Sequence, residues 1–89
     1  MTISITGGTK SQKKYVRSMV KFCSKTLMPR MHTLDITVKL TSPKGAMGYC
    51  LELHDNRTFE IEVDRNMRLR RLLETVAHEM VHVKQYARR

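Results

Sequence analysis

The spacing of apolar residues along the chain predicts a strand, a helix, three more strands and a second helix. Residues 2–6 alternate between apolar and polar types, which predicts a short strand that a glycine pair ends. Thr9 and Gln12 have the spacing of a helix capping box, so a helix is expected to begin there. Pro29 marks its end, because proline disfavours the helical conformation in the residue before it.

This first helix is predicted to be strongly amphipathic. At about 100° per residue, one side collects apolar residues that are expected to face the core: Tyr15, Val16, Met19, Val20, Phe22, Cys23 and Leu27. The other side collects basic residues: Lys10, Lys13, Lys14, Arg17, Lys21 and Lys25. Because both aromatic residues are assigned to the core side, no platform for stacking nucleic-acid bases is expected among the basic residues.

Three segments with period-two alternation follow, at residues 34–40, 49–53 and 59–63. Their short spacing favours antiparallel pairing, with the second and third segments forming a hairpin. The predicted fold class is therefore α+β. It combines an N-terminal helix, a mainly antiparallel sheet of three or four strands and a C-terminal helix, with the helices on the apolar face of the sheet.

The second of these three segments, at residues 49–53, is expected to have one apolar and one polar face. Tyr49, Leu51 and Leu53 alternate with Cys50 and Glu52. The apolar set is assigned to the core and the other set to the polar face, where a loop is expected to cover Cys50. The third strand, residues 58–63, comes nearest to the last helix in sequence order, and which strand forms the edge beside that helix stays open.

The last predicted helix runs to the end of the chain. Asp64 or Asn66 is expected to cap its start. Its apolar stripe consists of Leu69, Leu72, Leu73, Val76, Met80, Val83 and Ala87.

Composition narrows the class of protein. The chain has 89 residues, which is the size of one small domain spanning residues 1–89. It has neither an apolar run near the ~20 residues of a membrane span nor the start of a signal peptide, so an intracellular, cytoplasmic domain with no membrane partner is expected. Cys23 and Cys50 are isolated and are expected to be reduced.

The strong positive charge makes one helix face a candidate binding site. The formal net charge is +9, from 17 basic and 8 acidic residues. Lys10, Lys14, Arg17, Lys21 and Lys25 project within a narrow arc and are candidate nucleic-acid-binding residues. Such a face would contact phosphates, and binding would weaken steeply with salt. An ordinary solvated helix face is the alternative interpretation.

Residues 78–82 carry the motif with the clearest chemistry, His-Glu-Met-Val-His, which is the HExxH pattern of zinc metallopeptidases. Residues four apart lie one helical turn apart on the same face, so His78 and His82 can reach one metal ion. With His78 at the origin, His82 lies at about 40° and Glu79 at about 100°, whereas the apolar stripe centres at about 160°. The motif is therefore expected to face a cleft or solvent, although two solvated histidines would have the same spacing.

Residues 72–86 resemble the active-site helix of SprT-like zinc metallopeptidases, the group that includes Spartan, and especially the small members encoded by bacteriophages. The element order also resembles the compact zincin, or minigluzincin, core. The resemblance implies Zn²⁺ as the cofactor, His78 and His82 as its ligands and Glu79 as the general base. It further implies a protein or peptide substrate, DNA as a partner through basic faces, and the cytoplasm of a bacterial host as the location.

Family members place a third metal ligand downstream of the helix. Residues 83–89 contain no His, Asp, Glu or Cys. Four hypotheses remain open: the sequence is a truncated piece of a longer protein, an upstream residue such as His32, His54 or an acid supplies the ligand, a second copy supplies it, or the site is degenerate.

Two functions follow as hypotheses. The first is a SprT-like metallopeptidase that hydrolyses peptide bonds with metal-activated water, in proteins bound to nucleic acid. The second is a non-catalytic basic module that binds nucleic acid or protein and keeps an incomplete metal site.

Overall fold

The helices and strands lie close to the positions that apolar spacing predicts. The computed structural model describes residues 1–31, 33–42, 48–53 and 57–87. Its elements, in chain order, are β1 (Thr2–Gly7), α1 (Lys10–Leu27), β2 (Asp35–Thr41), β3 (Gly48–Glu52), β4 (Thr58–Asp64) and α2 (Leu69–Ala87).

The four strands form one mixed sheet with the order β1-β2-β4-β3. The predicted hairpin is confirmed, since β3 and β4 pair antiparallel. The prediction of a mainly antiparallel sheet is wrong, because β1–β2 and β2–β4 are both parallel pairs. The chain crosses over through α1 between β1 and β2, and β4 lies between β2 and β3. The short connection from β3 to β4 therefore joins neighbouring strands, whereas the short connection from β2 to β3 does not.

One face of the sheet carries the core, and both helices pack on it. In β2 and β4, alternate residues are buried while those between them are exposed or half-buried. The helices contribute their own apolar stripes and contact each other. The largest fully buried side chains are Phe59, Leu34, Ile36, Leu40, Ile61, Leu72, Met80, Val16, Val20, Val38, Val63 and Val76. The fold is thus a two-layer α+β arrangement with an open sheet face.

The predicted orientation of β3 is wrong. Its register pairs Gly48 with Val63 and Cys50 with Ile61, and both partners are buried beneath the helices. Tyr49 and Leu51 consequently lie on the open sheet face, 39% and 45% exposed. Because α2 crosses this strand closely, the smaller residues of β3 must face the helix, and the larger apolar ones face outward.

The apolar face of α1 is narrower than predicted. The capping box is confirmed, with Thr9 Oγ1 accepting from Gln12 N at 3.1 Å and Gln12 Oε1 accepting from Thr9 N at 2.9 Å. Tyr15 and Phe22, however, are 44% and 64% exposed and lie outside the core. Val16 and Val20 are fully buried, and the aromatic residues sit beyond the edge of that buried stripe.

The start of α2 also differs from the predicted cap. Asp64 and Asn66 both precede Leu69, the first helical residue, by more than one position. The Asp64 carboxylate instead accepts a hydrogen bond from Asn66 N at 2.9 Å, which forms a turn after β4. No helix in the described part of the chain has the length and apolar character needed to cross a membrane.

Candidate metal centre

Helix α2 presents the HExxH residues on a rigid support. Its apolar stripe is buried over four turns, with Leu72, Val76, Met80 and Val83 all fully inaccessible to solvent. This anchoring fixes the rotation of the helix about its axis. His78 consequently lies exposed and His82 half-buried on the opposite side, as the helical angles predict.

His78, Glu79 and His82 form a compact group of donors. Their ligand atoms all lie within 4.8 Å of one another. The two imidazole rings meet edge to face, with centroids 5.0 Å apart. Two imidazole nitrogens and a carboxylate oxygen at this spacing could hold a metal ion, and these donors suit zinc and several first-row transition metals.

Glu79 is the most unusual member of the group. Its side chain is among the few charged ones in the interior, with only 6% of its surface exposed. Within the described part of the chain, no hydrogen bond or ion pair reaches its carboxylate, which lines a cavity beside the helix. Its oxygens are not among the fully buried, unpartnered side-chain atoms of the described residues, so they reach the cavity. A cation or an ordered water could bind them there.

Gln85 orients one of the imidazoles. His82 Nδ1 and Gln85 Oε1 lie 3.2 Å apart. An amide oxygen can only accept, so His82 donates from Nδ1 and keeps Nε2 for another partner. Metal-binding histidines characteristically donate their second N–H in this way, which fixes the orientation of the ring.

Strand β3 forms the opposite wall of the site. Two adjoining cavities of about 390 and 370 Å³ share Gly48, His78 and Glu79, and together we call them the β3–α2 groove. A Cβ atom at Gly48 would lie 2.9 Å from Thr75 Cγ2 and 3.0 Å from Glu62 O. Glycine therefore allows the strand to lie this close to the helix. The sequence leaves open which strand forms this edge; in the structure it is β3, because β3 separates β4 from the edge of the sheet.

Cys50 also lines the groove. The sequence pattern placed it on a polar face beneath a loop, but the register of β3 turns it toward α2, where it shares a cavity with the two histidines. It is half-buried and not disulfide-bonded. Cys50 is not part of the 4.8 Å donor group, so the structure places a thiol beside that group without including it. Alternation alone gave no signal for this, since it favoured the opposite face.

Charged and aromatic residues complete the groove. Arg71 and Glu74 line one end, and Arg70 Nε donates to Glu74 Oε1 at 3.2 Å. Tyr86 lines the other end, and its ring stacks on buried Phe59 with centroids 6.4 Å apart. Tyr86 therefore both packs at the end of the helix and lines the groove.

The predicted basic face lies elsewhere. Among its candidates, Lys10, Lys14, Lys21 and Lys25 are exposed on α1. Arg17 is exposed too, but its Nη1 donates to the Ile3 carbonyl at 2.9 Å and so ties α1 to β1. None of these five residues lines the groove in the described part of the chain. His32 and His54, considered as further ligands, lie outside the described residues.

Comparisons with known proteins add no relative. No protein-family model, curated protein or solved structure matches the chain. The geometry of the site therefore carries the functional interpretation on its own.

Proposed function

We propose that this chain is a zinc metallopeptidase domain of the SprT-like zincin type, which hydrolyses peptide bonds in protein or peptide substrates. The observation that carries the proposal is the His78-Glu79-His82 group, whose ligand atoms lie within 4.8 Å of one another on one side of a groove. That spacing is the one expected of an HExxH helix.

The donor set fits zinc. His78 and His82 would hold the ion, and Glu79 is close enough to serve the reacting water. When bound, zinc supplies Lewis acidity, which lowers the pKa of water to about 7 and polarises a carbonyl. Catalytic zinc usually has three protein ligands, so one more donor belongs to the proposal. His32, His54, an acidic residue or a second copy of the chain are the sources that the sequence leaves open.

Glu79 has the role of general base. The residue is buried and lines the groove beside both histidines, so a water molecule between it and the histidines is the group it would deprotonate. As that water attacks the scissile carbonyl, Glu79 takes its proton and then delivers a proton to the leaving nitrogen. General base catalysis of this kind contributes about 10²–10⁴-fold to rate.

The groove suits an extended peptide. Strand β3 is the last strand of the sheet, so its outer edge offers backbone donors and acceptors beside the histidines. A substrate strand paired there would lie along α2. Arg71 at one end of the groove adds a positive charge that favours acidic side chains or a backbone carbonyl.

The metal content of the purified chain tests the first half of the proposal. Elemental mass spectrometry should find about one zinc per chain, and both His78→Ala and His82→Ala should lose it. Val81→Ala is the matched control, because Val81 lies on the same helix between the two ligands and is 40% exposed. Absence of zinc from the unmodified chain after incubation with the metal would contradict the proposal.

Glu79→Gln tests the second half. The substitution keeps the shape of a buried side chain and removes the base, so zinc should be retained while cleavage of quenched fluorescent peptides falls about 10²–10⁴-fold. Cleavage at the original rate would exclude the assigned role. A chain that binds zinc and cleaves no peptide in any variant would favour the alternative, a non-catalytic module with an incomplete metal site.

A further inference from the structure

The exposed side of α1 combines aromatic and cationic side chains in one stripe. Phe22 is 64% exposed, the most of any large hydrophobic residue described, and Tyr15 is 44% exposed. Seven residues separate them, so both lie in one row along the helix, about 10 Å apart in rise. Two exposed aromatic rings in one row give this side of the helix a surface that a partner could contact.

Lysines flank this row. Lys14 and Lys21 repeat the same seven-residue spacing one position earlier, and Lys25 lies within one turn of Phe22. The ammonium group of Lys14 sits 5.8 Å from the centre of the Tyr15 ring, so this cation leans across the aromatic row. Ser18 lies between the two aromatic residues and Ser11 one turn before Tyr15, and both serines are small and exposed. We call this set of seven residues the α1 stripe.

We propose that the α1 stripe is a binding site for single-stranded nucleic acid, in which Tyr15 and Phe22 stack on bases and Lys14, Lys21 and Lys25 contact phosphates. Aromatic platforms beside a line of cations are the physical requirement for such binding, since every base has a π-face and every nucleotide a charge. The net charge of +9 supplies long-range attraction for a polyanion. This site does not involve the HExxH residues and holds whether or not the groove binds metal.

The stripe fits a nucleic acid better than a membrane surface. A helix that lies in a lipid interface needs a broad apolar face. The apolar face of α1 is already buried in the core through Val16, Val20 and Cys23, and two aromatic rings separated by serine are what remains outside. Duplex is also a poor fit, because its stacked bases cannot reach the rings.

Fluorescence titration provides the direct test, because the chain contains no tryptophan. Phe22→Trp places a single indole in the stripe. Addition of an unlabelled 15-nucleotide oligothymidine at low salt should quench its emission through stacking, and a matched duplex should quench it much less. Phe22→Ala should weaken binding of a labelled 15-mer roughly fivefold to hundredfold, as loss of one stacked base does. Leu51→Ala is the control, since it removes a 45% exposed apolar side chain from the open sheet face.

Charge reversal tests the phosphate contacts separately. Lys14→Glu with Lys21→Glu should lower the slope of log affinity against log salt by about 1.4, because each lost phosphate contact on a single strand accounts for about 0.7. Arg65→Glu with Arg68→Glu makes the same change in net charge at exposed positions before α2 and should leave most of the slope in place. Circular dichroism would verify that each variant keeps its fold.

Three outcomes would overturn the proposal. Equal losses of affinity in the stripe and control variants would mean that net charge alone accounts for the binding. Strong binding that is unaffected by Phe22→Ala would exclude stacking. Binding of Phe22→Trp to vesicles of phosphatidylserine, with a blue-shifted indole emission and no response to the oligonucleotide, would assign the stripe to a lipid surface instead.

Discussion

The two helices lie on the same face of the sheet, but their polar sides have very different surroundings. Helix α2 packs against β3 and β4, and β3 forms one side of a groove along the polar side of α2. Helix α1 packs against β1 and α2, and its polar side faces outward. The same amphipathic pattern therefore produces a groove on one helix and an open surface on the other.

This difference decides which chemistry each helix can support. In the groove, Glu79 is 94% buried yet still reaches a cavity, so a small ion or water there would lie against several protein donors at once. On α1, the lysines are solvated, and each can contribute only a salt-sensitive contact to a long ligand. A reacting centre needs the first environment, whereas binding to an extended polyanion needs the second.

The largest expected effect, on the free energy of unfolding, comes from removing a side chain that packs α2 on the core. Leu72 is fully buried, so Leu72→Ala should lower the free energy of unfolding by about 2–5 kcal/mol, as cavity-forming substitutions do. Urea denaturation would measure this loss. Leu69→Ala, one turn earlier at a 40% exposed position, should change the same quantity by about 0.5 kcal/mol or less. Similar effects for the two variants would mean that the buried stripe does not fix the rotation of α2.

A larger side chain on β3 should disturb the groove from the wall opposite α2. Gly48→Ala places a methyl group 2.9 Å from Thr75 Cγ2 and should cost about 1–3 kcal/mol by overpacking, with a matching loss of metal affinity. Thr75→Ser removes that Cγ2 atom and keeps the hydroxyl, which donates to the Arg71 carbonyl at 2.9 Å. The double variant should therefore recover part of both losses in thermal melts and metal titrations. A purely additive double variant would show that the wall does not depend on this contact.

Gln85→Ala should weaken the metal site without unfolding the protein. Removal of the acceptor at His82 Nδ1 should reduce metal affinity about 10–100-fold, the typical cost of losing such an orienting contact. Competition with a chromophoric chelator would measure it. Gln85 is exposed, so the melting temperature without metal should stay nearly unchanged. Unaltered affinity would mean that His82 does not need this partner to bind the ion.

The sequence predicts much of this arrangement and fails where neighbouring elements decide. Helical angles place His78 and His82 outside the core, and the spacing of Thr9 and Gln12 predicts the capping box, because both depend on local geometry. The alternation in β3 is equally local, but it predicts the wrong face. Which side of a strand is buried depends on what packs there, and the close approach of α2 favours Gly48 and Cys50 over larger residues.

Strand order and helix exposure fail for the same reason. The predicted antiparallel sheet followed from short connections, whereas β4 pairs with both β2 and β3 and makes the sheet mixed. Tyr15 and Phe22 look like core residues at 100° per residue, yet they lie at an edge of α1 that stays 44% and 64% exposed. Apolar spacing therefore limits which residues can be buried, and tertiary contacts select those that are.

The smallest expected effect is a difference in the rate at which the two cysteines are modified, which requires no change in stability. Cys50 lines the groove, whereas Cys23 is 6% exposed in the core, where burial raises the pKa of its thiol. The thiolate is the reactive form, so at neutral pH N-ethylmaleimide should modify Cys50 about tenfold or more faster than Cys23. The gap should narrow as pH rises, because Cys23 forms thiolate only at higher pH. Mass spectrometry of partly modified chains would give both rates. Zinc in the β3–α2 groove should slow modification of Cys50 and leave Cys23 unaffected. If zinc did not change the rate at Cys50, the ion would lie away from β3, the strand that gives α2 a groove and α1 none.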